Sequence, residues 1–407
     1  MEFGPILSSL RRNKVGATLI ALQIALTLGV LCNALFIIEQ QTARSRTPSG
    51  IADESSVFIV SNQWAGASGD LAAREKTDLA TLRALPEVAD ATVSADQPLG
   101  GRLIGVGISI HPENPRSGGG SAVFTVDDHA LNTLGLRLLA GRNFRPEDIV
   151  VAHGFGDNYS SLSGVIVTRE LARALDPSGN VLGRTASIVP GGMTAPIIGV
   201  VERLAASQFA GDSAYAGHSV LFPLLWVDSN VLYLVRAKPG QLAAAMRAAP
   251  NGLNKVNRQR TILDVQSFAD ARHDFYRGAR GESVLMAVIS AILLGVTAFG
   301  ITGLTSYWVS QRRRQIGIRR ALGATAGSIL RYFQTENLLI VGAGSALGIA
   351  LGMAGNLWMV RSIALTRLPL LYLIVGTTVV LALGQIAVLW PALRAAAVPP
   401  ALAARGA

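Results

Sequence analysis

The chain has 407 residues, half of them hydrophobic and only 15% charged, a balance too apolar for an ordinary soluble protein. Its net charge of +10 does not read as nucleic-acid binding, because the densest basic runs flank membrane-length apolar segments and lack interleaved stacking aromatics. The single cysteine excludes a disulfide within the chain, so a large exported domain would rely on its own core.

Residues 1–14 place Ile6, Leu7 and Leu10 at helical spacing ahead of Arg11, Arg12 and Lys14, which predicts a short cytoplasmic interfacial segment. Residues 15–38 carry no charge, and 24 helical residues rise about 36 Å, more than the roughly 30 Å of a hydrocarbon core. They form the first predicted span, with Cys32 inside it. A cleaved signal peptide is the competing reading, but the run exceeds the usual apolar stretch of about 7 to 15 residues and lacks a clear small-x-small exit.

Residues 39–282 change character. A strand is predicted at 55–60 and an amphipathic helix at 71–85, stopped by Pro86. Strand-like runs follow at 88–95, 103–110 and 122–126, the last two separated by the turn-rich loop PENPRSGGG. Asp127 and Asp128, ahead of His129, read as capping residues at a helix start. A second unit repeats the theme: a strand at 164–167, then a helix capped by Thr168 and running to 175, broken by DPSGN. Strands at 196–201, 219–222 and 232–236, a helix at 241–248 and a strand around 261–265 complete it. Strands alternating with helices predict a large α/β domain in two lobes.

Chemistry is sparse in this region. His111, His129, His153, His218 and His273 are scattered, without the HExxH or CxxC spacing of a metal site, and read as surface residues. No GxSxG elbow gives the serines a nucleophile's setting. Asn158-Tyr159-Ser160 fits a glycosylation sequon, a tripeptide that arises often by chance. No GxxxxGK[ST] phosphate loop occurs, so an ATPase, where one is needed, is expected to be a separate subunit, and no enzyme activity or cofactor is predicted for the chain itself.

Residues 267–282 look helical and lead without a proline into a second span, 283–308, ending at the interfacial pair Tyr307 and Trp308; the helix is expected to run unbroken. The loop 309–336 contains QRRRQIGIRRALGAT, with Arg312, Arg313, Arg314, Arg319 and Arg320 and no acidic residue, which places it in the cytoplasm. As a helix it gathers Arg312, Arg313, Arg319 and Arg320 on one side and Ile318, Ala321 and Leu322 on another, while Arg314 and Ile316 depart from the pattern. Three readings fit this stretch: a charge anchor for topology, a helix lying on anionic lipid, or a docking helix for a cytoplasmic partner. In the third span, 337–360, Gly344, Gly348 and Gly352 fall four residues apart, the spacing of a close helix-packing face. A short outer loop, 361–367, precedes the fourth span, 368–390, and a cytoplasmic tail, 391–407.

QRRRQIGIRRALGAT, followed at once by another apolar span, resembles the cytoplasmic signature of the FtsX-like, MacB-type permeases of ATP-binding cassette systems, usually written with REIGIR and ALGA. LNTLGLRLLAGRNF at 131–144, VIVTRELARAL at 165–175, VLGR at 181–184 and PIIGVVERL at 196–204 resemble phrases of that family's periplasmic domain. WPALRAAAVPPALAARGA resembles its ending, with fewer basic residues than the family's YPARRAA.

The resemblance implies an α-helical membrane protein of the bacterial inner membrane, with four transmembrane helices and a large α/β periplasmic domain of two subdomains between the first two. It implies one lobe over approximately 40–128 and 228–270 and an inserted lobe over approximately 129–227. It also implies that Arg314, Gln315, Ile316, Gly317, Ile318, Arg319, Arg320, Ala321, Leu322 and Gly323 form a coupling helix seated on an ATP-binding cassette ATPase, the subunit that binds ATP. Gln315 stands where the family usually has Glu, which removes a negative charge from the docking surface. A second permease chain, identical or not, would complete a dimer, with membrane lipid around it and a periplasmic adaptor protein and outer-membrane channel as further partners. The implied work is mechanotransmission, the use of ATP-driven closure beneath the membrane to move the outer domains, for efflux of a peptide, antibiotic or other hydrophobic compound. A regulatory scaffold for a periplasmic partner enzyme and a membrane-anchored receptor are the alternatives.

Overall fold

The computed structural model describes residues 14–65, 70–99, 105–111, 119–153, 162–189, 192–205, 217–363 and 367–397. The expected interfacial segment up to residue 13, most of the loop PENPRSGGG, the sequon at Asn158 and the end of the tail lie outside the described residues.

In chain order the elements are α1 (Lys14–Arg46), β1 (Val57–Trp64), α2 (Leu71–Arg83), β2 (Val88–Ser94), β3 (Gly105–Ser109), β4 (Gly119–Thr125), α3 (Ala130–Leu134), β5 (Leu138–Gly141) and β6 (Val150–Ala152). They continue with β7 (Val165–Thr168), α4 (Arg169–Leu175), β8 (Thr185–Val189), β9 (Met193–Val201), β10 (Ser219–Phe222), β11 (Leu224–Trp226), β12 (Asn230–Ala237), α5 (Leu242–Val256) and β13 (Arg260–Ser267). The chain closes with α6 (Phe268–Phe275), α7 (Arg277–Gln311), α8 (Arg313–Ala321), α9 (Ala326–Ile363) and α10 (Leu370–Ala396). It divides into a helical unit, made of the described residues up to Arg46 and from Ala279 onward, and an α/β unit, Thr47–Gly278.

In the helical unit α1, α7, α9 and α10 contain four stretches long and apolar enough to cross a membrane. Polar side chains link them in pairs. Thr27 on α1 and Thr297 on α7 share a buried hydroxyl bond at 2.9 Å. Thr302 on α7 donates to the Ala387 carbonyl on α10 at 3.1 Å, and the Asn337 amide on α9 donates to the Gly384 carbonyl at 2.9 Å. In hydrocarbon such groups find partners within the protein, and each bond fixes a helix pair in register.

Two helix boundaries differ from expectation. The helix expected to run unbroken from residue 267 into the second span is two segments, α6 and α7, parted at Tyr276. Tyr276 is buried in the core of the α/β unit and meets Phe275 edge to face at 4.9 Å. The third span's helix begins at Ala326, eleven residues before the expected 337, so that only Arg312 and residues 322–325 of the expected loop lie outside helix. The early start follows from Ile329, Phe333 and Ile340, which repeat every four and seven residues and are all buried.

The α/β unit is built on two sheets. β13-β1-β12-β2 form a four-stranded antiparallel sheet, in which β1 is central and pairs Phe58 with both Val235 and Ser267. Alternation along β1 sends Phe58 and Val60 into a core shared with Leu79 and Leu82 of α2 and Ala245, Ala249 and Leu253 of α5. Val57 and Ile59 enter a second core with Leu134 of α3 and Phe268 of α6. The other sheet has the order β5-β9-β7-β10-β4-β3-β8, and β8 also pairs with β9, so six of its strands close on themselves. Its apolar filling includes Ile108, Val123, Val167, Ile188, Ile197 and Phe222. Because β3 and β4 belong to this closed sheet, a division of the domain at 129 does not follow the strand pairing.

Local readings are corrected in the same unit. The helix expected at 241–248 extends to Val256 through Pro250, held by the buried face Ala245, Ala249 and Leu253 despite the missing N–H. His129, not Asp127 or Asp128, is the N-cap residue of α3. Thr168 does occupy the N-cap of α4, yet its hydroxyl donates to the Gly217 carbonyl at 2.7 Å instead of capping.

Candidate docking and packing surfaces

α8 is a nine-residue helix set between α7 and α9 by bonds at both ends. At its start the Arg312 guanidinium donates to both oxygens of Glu336 on α9, at 3.2 and 3.0 Å, and lies over the Trp308 ring at 5.8 Å. Glu336 is only 2% exposed, so Arg312 supplies the opposite charge and the donors that a buried carboxylate needs. At its end the Gly323 N–H donates to the Arg320 carbonyl at 3.1 Å and the Ala324 N–H to the Arg319 carbonyl at 3.0 Å, with Gly323 at φ +97°. That pairing is a Schellman termination, which requires the left-handed residue glycine supplies.

The expected docking residues separate into two sides. Ile316 and Gly317 are buried, Ile316 packing with Ile329 and Phe333 in the core of the helical unit. Ile318 is 52% exposed and Leu322 83% exposed, and Arg314, Gln315, Arg319, Ala321 and Gly323 are exposed beside them, with Arg320 half-buried. The Arg319 guanidinium stands 5.4 Å from the Tyr332 ring centre. The departure of Ile316 from the amphipathic pattern has a cause: it faces α9, while Ile318 and Leu322 face away from the helical unit. Glu336 and Phe333, which hold the inward side of α8, and Tyr332 beneath Arg319 are not singled out by the sequence. An acidic residue 24 positions beyond an arginine gives no local signal.

Gly344, Gly348 and Gly352 lie against α1. A methyl group at Gly344 would stand 2.7 Å from the Ala21 carbonyl oxygen, and one at Gly348 would stand 2.9 Å from both the Ala25 carbonyl oxygen and Leu28 Cβ. At Gly352 it would meet Gly29 Cα at 3.4 Å. Asn33 on α1 donates to the Gly352 carbonyl at 3.2 Å, which closes the same seam. At Gly344 and Gly348 the missing side chain thus permits a backbone approach that a Cβ would prevent, while at Gly352 an added methyl would make ordinary contact.

Buried charge in the α/β unit is concentrated around Asp78 and Glu75 on α2. Asp78 is bound by Arg260 and accepts a hydrogen bond from the Tyr233 hydroxyl at 2.5 Å. Glu75 is fully buried, and among the described residues neither of its carboxylate oxygens has a hydrogen-bond partner. Burial, with Asp78 and Asp228 nearby, pushes its carboxyl up to about 8. A second cluster joins Arg83 to Asp127, whose other oxygen accepts from the Thr92 hydroxyl at 2.6 Å; burial raises the Asp127 carboxyl above the ordinary carboxylate range. His129 Nδ1 pairs with Asp90 at 2.8 Å, and the contact of His129 with Asp127 is made by its backbone N–H, not its ring. Among the described residues no group of three or more His, Cys, Asp or Glu is placed to hold a metal ion.

Four helices long and apolar enough to cross a membrane, a short helix with an exposed apolar side between the second and third, and a large α/β unit between the first two give the architecture of a polytopic membrane protein. The chain belongs to the MacB-like, FtsX-like permease family: the MacB-like periplasmic core domain matches residues 20–251, more than half of it, and the FtsX-like permease C-terminal family matches residues 287–400.

It is similar to the macrolide export ATP-binding/permease protein MacB of Chromobacterium violaceum, 26% identical over 226 residues covering 53% of this chain and 32% of that protein. It is also similar to the ABC transporter permease YvrN of Bacillus subtilis, 26% identical over 251 residues covering 56% of each. The chain therefore spans a third of the one relative and just over half of the other. Among solved structures, the extracellular domain of the noncanonic ABC-type transporter YknZ from Gram-positive bacteria matches at 15% identity and TM-score 0.33, over 51% of this chain and all of that one. The periplasmic region of MacB from Actinobacillus actinomycetemcomitans matches at 13% identity and TM-score 0.34, over 55% and 94%.

Proposed function

We propose that this chain is a transmembrane subunit of a MacB-type ATP-binding cassette transporter, lying in the bacterial inner membrane with its α/β unit in the periplasm. In this reading α8 is the coupling helix. A nucleotide-binding partner seats Ile318 and Leu322 in an apolar groove and draws α8 inward when it closes on ATP. A second permease chain completes the dimer, and the α/β unit works as two lobes, one around each sheet, to move a peptide, antibiotic or other hydrophobic compound outward. A periplasmic adaptor and an outer-membrane channel complete the route.

The observation that carries this reading is the division of α8: Ile316 and Gly317 are fixed inside the helical unit while Ile318 and Leu322 stand 52% and 83% exposed on the opposite side. A single exposed apolar residue is ordinary. Two on one short helix, rimmed by arginines, match the helix-in-groove mode of recognition.

The test is reconstitution in liposomes with the ATP-binding cassette ATPase encoded nearest to the chain. ATP hydrolysis should require the ATPase and should become membrane-associated only with this chain present. Hydrolysis by the purified chain alone, or soluble ATPase activity indifferent to it, would overturn the reading.

A further inference from the structure

A cavity of about 210 Å³ lies between α8 and the first turns of α9, bordered by Arg312, Gln315 and Arg319 on one side and Ser328, Tyr332 and Phe333 on the other. Residues 311–335 contain six arginines and no acidic residue, and the first carboxylate beyond them, Glu336, is already engaged by Arg312. Arg319 has a ring beneath it but, among the described residues, no carboxylate partner. The mouth of the cavity is therefore positive and rich in donors. Phe333 also borders a crevice of about 10 Å³, where Ile20 of α1 and Ile301 of α7 meet Glu336 and Asn337 of α9. Trp308, at the end of α7, borders that crevice too and marks the level of the membrane–water boundary.

We propose that this cavity binds the phosphate of an anionic phospholipid, with Arg319 and Ser328 holding the headgroup. The proposal rests on the reading above that α8 lies at the inner face. Basic pockets between spans on the cytoplasmic side recruit anionic headgroups, each arginine contributing roughly fivefold in affinity. An acidic side chain of a protein partner would satisfy the same charge, but Arg312, which borders the cavity, lies over Trp308 at the end of α7, and that interfacial level is where lipid headgroups stand. A bound lipid would brace α8 against α9, so that membrane charge bears on where the exposed face of α8 is held.

The test uses the full chain in detergent and native mass spectrometry, with dioleoyl-phosphatidylglycerol and dioleoyl-phosphatidylcholine as probes. The wild type should prefer the glycerol headgroup by at least about fivefold. Arg319→Ala should remove most of that preference and Ser328→Leu, which fills the cavity, should do the same. Arg314→Ala, outside the cavity, should retain it, and unchanged thermal unfolding of the variants would show that the fold is intact. Equal loss in Arg314→Ala and Arg319→Ala would reduce the effect to diffuse surface charge and overturn the site. So would the absence of any preference. Lipid preference surviving Arg319→Ala while ATPase binding is lost would assign the cavity to the protein partner. A separate failure of the inner-face reading would show as labelling of Arg314→Cys by an impermeant maleimide from the periplasmic side, a result that leaves the detergent measurement untouched.

Discussion

Asp78 and Arg260 meet in a two-pronged ion pair, at 2.6 and 2.7 Å, with at most 1% of either side chain exposed. The guanidinium also lies over the Trp64 ring at 4.2 Å, so one residue of β13 joins α2 to β1 and, through Tyr233, to β12. Breaking a buried pair from one side costs more than the pair itself contributes, because the remaining charge has no solvent.

Arg260→Met should therefore destabilise the four-stranded sheet by about 3–5 kcal/mol. Hydrogen exchange in the full-length protein should show amides of β1 and β12 losing protection by several orders of magnitude, while those of β7 and β10 in the other sheet change little. Uniform loss across both sheets would show that the two do not unfold separately.

Glu75 gives a pH dependence of defined sign. Its carboxyl ionises at about 8 in the folded chain against an ordinary value of 4.5, so the native state holds the proton more tightly than the unfolded state does. Stability is fully present below about pH 4.5 and declines as pH rises to about 8, by an amount on the order of a few kcal/mol. Glu75→Gln should flatten that decline and raise the unfolding temperature most at pH 8. An unchanged pH profile in the variant would mean that Glu75 is ionised and solvated in the native protein.

The seam between α1 and α9 predicts a contrast between two glycines of the same helix. Gly348→Leu must displace the α1 backbone at Ala25, and overpacking of this kind costs roughly 1–3 kcal/mol. Gly355→Ala, whose added methyl meets nothing within 4 Å, should leave stability unchanged. Thermal unfolding in detergent reads both, and an equal response from the two would remove Gly348 from the packing seam.

Much of the fold is legible because its signals are local. The four spans announce themselves as long uncharged runs, and β2, β7 and β12 as compact β-branched segments bounded by turn residues. Other elements carry no such signal. β5, β6 and β11 are three or four residues long, the first two mainly exposed and the third buried but paired only with β6, and all are too short for alternation to register. Glu75 and Asp78 look like the solvated face of an amphipathic helix, since only the distant Arg260 and Tyr233 reveal that this face is covered. At the docking surface the arginine run and the apolar residues were evident in sequence. Their division was not, because Arg312 turns inward to Glu336 and Ile316 to Phe333, both on a helix whose start is hidden by the polar residues between its apolar ones.

The most direct test of the central claim is co-purification of the ATPase with Ile318→Asp and Leu322→Asp variants from membranes. If α8 seats its exposed face in an apolar groove, each carboxylate would be buried there without a partner and association should fall by at least tenfold, whereas Arg313→Ala at the solvated side should weaken it by less than about threefold. ATPase retained at wild-type level by both Asp variants would contradict docking through α8.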